Sequence, residues 1–163
     1  MPNTEEIVIN TSPTIGLVAA LGNLDVLQIY KRGLVPGEVA DELLVEKNGR
    51  FAATEFEAAS WLDKQEHYQS IPLHLKNSLD IGEAGVIQCP LSNEIATVCI
   101  DETTGRRFAR LNGLNVTGSI GILLRAKREG YNISMQDAID RIQSHSIWLS
   151  RNIIQIALSQ AGE

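Results

Sequence analysis

A chain of 163 residues with 44% hydrophobic and 21% charged residues can bury one real core and is too apolar to stay disordered. Its net charge of -6 argues against a general polyanion-coating surface. No apolar run approaches a membrane span and no signal-peptide pattern of a charged n-region and an apolar h-region stands at the start, so the expectation is a cytoplasmic protein with no membrane association. Cys89 and Cys99 show no metal-type spacing with each other or with His67, His74 and His145, and read as reduced, buried thiols.

Glu5-Glu6 lead into Ile7-Val8-Ile9, a brief strand that ends at Asn10-Thr11-Ser12-Pro13. Ser12 before Pro13 marks a helix start, with Ile15, Val18, Ala19 and Leu21 inward and Gly22 as its stop. Asp25 introduces a short helix that buries Val26, Leu27 and Ile29; Gly33-Leu34-Val35 is a second strand. Pro36 starts a helix with Val39, Leu43 and Leu44 on its apolar side and Asp41 and Glu42 in its middle. Phe51–Leu62 reads as helical, and Asp63–Asn77 as a loop or short strand. Gly82-Glu83 begins another helix, which Pro90 should kink or end.

Ile95–Ile100 is short, apolar and bounded by polar residues, which reads as a buried strand running into Asp101-Glu102. Thr103-Thr104-Gly105 open a helix, Leu114-Asn115-Val116 form a further strand, and Gly118–Gly121 turn into a helix with Ile120, Leu123 and Leu124 on one face. That turn lacks the Gly-Lys-Ser/Thr of a P-loop and has weak anion-binding capacity. Ser134 with Asp137 is a capping box for a helix burying Met135, Ala138, Ile139 and Ile142. Ser150 caps a last helix with Ile153, Ile154, Ala157 and Leu158 at helical spacing.

Strands that alternate with helices imply a parallel α/β sheet covered on both faces, with a C-terminal helical pair that packs on the body or on a second subunit. Ligands of such sheets bind beyond the carboxyl ends of the strands. Asn10, Glu42, Glu83 and Asp101 all fall where that edge could gather them, and several oxygen donors there suit Mg²⁺ or Mn²⁺. Each also has a plain reading: Asn10 as a turn residue, Glu42 as a solvated helical acid, Glu83 as a helix N-terminal charge. Between Thr103 and Arg128 stand Arg106, Arg107, Arg110, Arg125, Lys127 and Arg128 with no acid, so a basic flank adjoins an acidic centre. Arg106 and Arg110 lie four apart on one helical face, placed either to contact an RNA backbone or to form a solvated face; Arg125 and Arg128 read as plain surface.

IVINTSPTIGLVAALGNLDVL at Ile7–Leu27, VPGEVADEL at Val35–Leu43, LDIGEAGVI at Leu79–Ile87 and, most specifically, the long segment Ile100–Gly130 resemble PIN-domain proteins of a branch related to the VapC-type toxins. The likeness extends over nearly the whole chain, including the closing helical pair with its SIWLS segment. It implies a single Rossmann-like PIN domain over residues 1–163, with a sheet of about five strands. It also implies Mg²⁺- or Mn²⁺-dependent ribonuclease chemistry by the toxin half of a toxin–antitoxin pair. Glu42, Glu83 and Asp101 match the acidic centre of PIN nucleases, and Glu102 matches the Asp-Glu pair of this branch. Thr11, Ser12 and Thr117 would add hydroxyls at the same edge. Asn10 stands where PIN nucleases usually carry a metal-binding aspartate, although members of this branch often carry Asn there. The resemblance implies RNA as substrate, an antitoxin lying across the basic flank, and a homodimer. The alternative is a PIN-fold module with a weakened centre that binds RNA or a protein partner. A response-regulator phosphoacceptor, which needs an acidic pair after the first strand and a late Lys, does not fit Asn10-Thr11 and Thr117-Gly118.

Overall fold

A computed structural model describes residues 6–45 and 51–163. The acidic lead-in at Glu5 falls outside them. The first strand, β1, is Glu6–Ile9, followed by helix α1 (Thr11–Leu21), a 3-10 turn (Asp25–Ile29), β2 (Arg32–Val35) and α2 (Gly37–Leu44). Next come α3 (Ala53–Ala58), β3 (Asp63–Lys64), α4 (Leu73–Lys76), α5 (Ile81–Asn93) and β4 (Thr97–Cys99). The last elements are α6 (Thr103–Leu111), β5 (Asn115–Thr117), α7 (Ser119–Arg128), α8 (Met135–Ser144) and α9 (Arg151–Ala161).

The strands form one parallel sheet in the order β3-β2-β1-β4-β5. Val8 pairs with both Leu34 and Val98, so β1 is central and buried on both faces, as its continuous apolar run requires. Connections leave β1 and β4 in opposite directions, which opens a crevice beyond their carboxyl ends. Helices flank the sheet in two groups: α1 packs with α7 and α8, and α9 with both α7 and α8; α2 and α6 pack on α5. Among the described residues no helix is long and apolar enough to cross a membrane.

Several local expectations change in three dimensions. Helix α1 is not amphipathic: Thr14, Gly16, Leu17 and Ala20 are buried with Val18 and Ala19, whereas Ile15 and Leu21 are only half-buried. It is enclosed by α8, α7 and α2. The helix expected over Phe51–Leu62 shrinks to Ala53–Ala58, because the chain turns at Ala59 so that Asp63 and Lys64 can pair with Leu34 and Val35. Pro90 does not end α5, which continues to Asn93. Its carbonyl instead anchors the exit, accepting from the N–H groups of Glu94 and Ile95 while Glu94 takes the left-handed conformation (φ 56°). Ile153 is exposed on α9, where Ala157 alone is fully buried. Ser134 and Ser150 cap α8 and α9 as expected.

Candidate functional site

The crevice is lined first by three consecutive residues. Asn10 is buried and its backbone N–H donates to the Cys99 carbonyl at 3.1 Å, which joins the ends of β1 and β4. The Asn10 side-chain amide donates to Oε2 of Glu102 at 3.4 Å, and the Ser12 hydroxyl donates to the other oxygen of the same carboxylate. Between them, the Thr11 hydroxyl donates to Oε2 of Glu42 at 2.8 Å. The start of α1 thus collects one acid from α2 and one from the turn before α6.

A third acid joins from α5. Asp80 caps that helix by accepting from the Glu83 N–H at 2.8 Å. A side chain at Gly82 would overlap Oε1 of Glu42, so glycine lets that carboxylate lie directly against the first turn of α5. Partial burial pushes the Glu83 carboxyl above its ordinary range, and the neighbouring carboxylates of Asp80, Glu102 and Glu42 push it further. Glu42, Glu83 and Glu102 therefore share one electrostatic field.

Asp101 reaches the same edge but is engaged elsewhere. Oδ1 accepts from the Ser119 N–H at 2.8 Å and Oδ2 from the Ser119 hydroxyl at 3.0 Å. The anion-binding capacity of the Gly118–Gly121 turn is thus used by the chain's own carboxylate, seated at the N-terminus of α7. Desolvation raises the Asp101 pKa; the two Ser119 hydrogen bonds oppose that rise, Glu102 adds to it and Arg106 subtracts. Gly118 keeps open the space between Asp101 and Arg106. Arg106 is half-buried and donates from Nη1 to the Ile100 carbonyl at 2.8 Å, bracing the end of β4. Arg110, a turn further along α6, is exposed. Thr117 closes β5 and lies against Gly121.

Glu38 is an acid that sequence reasoning missed. It is 2% exposed, accepts from the Gln69 N–H at 3.1 Å through Oε2, and leaves Oε1 without a partner. Gly85 makes room for it as Gly82 does for Glu42. The signal was the Glu38–Glu42 spacing on α2 facing Gly82-x-x-Gly85 on α5, two patterns that gain meaning only once the helices are known to pack. Ser119 went unassigned because its partner is 18 residues away. The cysteines are free and buried, and burial pushes the Cys89 thiol up to about 12 and Cys99 well above its ordinary value, which leaves both inert. His67, His74 and His145 are exposed and take no part in the crevice.

The donors at this edge are all oxygens, the chemistry a hard divalent cation prefers, and the repulsion felt by Glu83 is what such a cation relieves. Hydroxyls and amides hold the acids in the present arrangement. Among the described residues no three His, Cys, Asp or Glu side chains stand together as a ready-made cage.

Comparison with curated proteins and with solved structures gives no match. A family model described as a PIN domain, DUF3368, matches residues 6–163. PIN domains have a nuclease-type, nucleic-acid-binding fold and generally use divalent metals. With the match covering almost the whole chain, and with the parallel five-stranded sheet that such a domain requires, the protein belongs to the PIN-domain family.

Proposed function

We propose that the protein is a divalent-metal-dependent ribonuclease, the toxin component of a toxin–antitoxin pair acting in the cytoplasm. The observation that carries this reading is the gathering of Glu42 and Glu102 by the Thr11 and Ser12 hydroxyls at the carboxyl edge of β1 and β4. Glu42, Glu83, Glu102 and Asp101 would hold Mg²⁺ or Mn²⁺, with the Asn10 amide in support. The bound ion supplies an activated water and offsets charge on the phosphodiester. The residues of the chain do the positioning. Thr11 and Ser12 orient Glu42 and Glu102, Ser119 holds Asp101, and Thr117 borders the edge. Arg106 and Arg110 put positive charge on the α6 side of the crevice, where an RNA backbone is attracted and where an antitoxin segment would compete. We further propose a homodimer.

A second reading has its own support. Asn10 donates to Glu102 where a carboxylate would repel it, and both Asp101 oxygens accept from Ser119. Those contacts suit a PIN-fold module that binds RNA or a protein without cutting. Calorimetry with Mn²⁺ separates the two, run on the wild type, Asp101→Ala and Asn10→Asp alongside cleavage of a mixed single-stranded RNA. The nuclease reading expects saturable binding by the wild type, loss of binding and cleavage in Asp101→Ala, and tighter binding in Asn10→Asp. If only Asn10→Asp binds and cleaves, the natural protein is the non-cutting module.

A further inference from the structure

Asn10 and Glu102 each stand at the N-cap of a helix that starts at the carboxyl edge of the sheet, Asn10 before α1 and Glu102 before α6. An asparagine at that position ordinarily accepts from the backbone N–H groups of its own first turn. Neither side chain makes a capping hydrogen bond here. Each is turned across the crevice to the other. The Asn10 amide donates to Oε2 of Glu102 at 3.4 Å, and the Ser12 hydroxyl donates to Oε1. Asn10 is buried, whereas Glu102 is only half-buried and keeps solvent access.

The chemistry of that contact decides which atoms meet. A carboxylate can only accept, so Asn10 presents its NH2 group to Glu102 and not its carbonyl oxygen. That NH2 group is a donor and offers a cation nothing. Because β1 is the central strand, the residue at its end occupies the middle of the edge. That residue is neutral, and the negative charge at its place is the one it holds, on Glu102. The first turn of α1 has no acid of its own, so Glu102 also supplies the charge that a helix N-terminus favours. Desolvation leads the rise in the Glu83 and Asp101 pKa values, and the Glu102 charge adds to both. An aspartate at position 10 would bring a second carboxylate against the first, and the two would repel unless a cation or a proton lay between them.

We infer that Asn10 and Glu102 work as one unit that delivers a single carboxylate to the ion. Glu102 is the ligand, and Asn10 is its positioning residue and not a ligand itself. The inference rests on the nuclease reading and divides the work of that site between two residues. It has a specific consequence, that donor and acceptor can be exchanged. In the double variant Asn10→Asp/Glu102→Gln the new amide nitrogen can donate to the new carboxylate, and the new amide oxygen can still accept from Ser12. One carboxylate again stands at the end of β1.

The test compares the wild type, Glu102→Gln, Asn10→Asp and the double variant by calorimetry with Mn²⁺ and by thermal melting in chelator. Circular dichroism checks that each is folded. Glu102→Gln should weaken Mn²⁺ binding by roughly tenfold or more, since metal sites lose that much even when a supporting group is removed. Asn10→Asp should gain more affinity in the Glu102→Gln background than in the wild type, where the place is already filled, and should bring the double variant close to the wild type. In chelator Asn10→Asp should lower the melting temperature, and adding Glu102→Gln should restore it, because repulsion gives way to a hydrogen bond. Ser12→Ala leaves every carboxylate in place; it should weaken Mn²⁺ binding by a smaller factor and cost nothing further once Glu102→Gln is present. If the wild type binds Mn²⁺ and Glu102→Gln binds it equally well, the inference fails while the nuclease reading stands. The same holds if Asn10→Asp gains equally in both backgrounds. If the double variant regains its melting temperature but not its Mn²⁺ affinity, the pair is a structural tie between α1 and α6 only. If the wild type binds no Mn²⁺, the nuclease reading falls and takes the inference with it.

Discussion

Glu83 is a partly buried acid with acidic neighbours, and that has a measurable consequence. Its folded pKa lies above the ordinary carboxylate value, so the folded state holds the Glu83 proton more tightly than the unfolded state does. The ionised form therefore destabilises the metal-free fold at neutral pH. That penalty is complete above the raised pKa and vanishes below the ordinary one. Glu83→Gln should accordingly raise the melting temperature of chelated protein at pH 7, with the advantage over wild type shrinking as pH falls through the carboxylate range. Added Mn²⁺ should reverse the order, because the wild type offers the cation one more carboxylate than Glu83→Gln does. Thermal scans at several pH values, with and without Mn²⁺, read both effects; an unchanged melting temperature at pH 7 would contradict the raised Glu83 pKa.

The elements that set this geometry are α2 and α5. Glu38 and Glu42 stand one turn apart on α2 and press against Gly85 and Gly82 of α5, where a methyl group would overlap either carboxylate. Gly85→Ala should force the buried Glu38 to move and cost about 1–3 kcal/mol of stability, as overpacking does, although alanine suits a helix better than glycine. Urea denaturation measures it, and a midpoint at or above that of the wild type would refute the contact. Asp101 was legible in the sequence because an acid directly after an apolar strand has one place to go in a parallel sheet. The capped helices α8 and α9 were legible because their signals lie within four residues. What was not legible depends on pairs distant in sequence: Glu38 with Gly85, Asp101 with Ser119, and the pairing of β3 with β2 that cut α3 short. Pro90 misled for a related reason, since its carbonyl is taken up by the turn that follows.

Across the whole molecule, acids collect at one sheet edge while α6 and α7 carry arginines that are partly engaged: Arg106 with the Ile100 carbonyl and Arg125 with Tyr30 and Glu129. The proposed homodimer is a whole-molecule property as well. Among the described residues, Trp148, Leu111 and Leu73 are the most exposed of the large apolar side chains, at 82%, 70% and 71%. Light scattering across a concentration series should give twice the chain mass, and a constant monomer mass would remove the dimer. The central position of β1 has a further consequence, for synthesis. The strand is made before its neighbours, yet its partner β4 begins only at Thr97, about 90 residues after Glu6. Until then a nascent chain carries a half-built sheet whose most apolar strand has one side unpaired, an invitation to pair with a neighbouring chain. Completion of the fold must wait for that distant strand, so its rate is set by a long loop closure, and a fragment ending before β4 would emerge as an aggregate and not as a smaller domain.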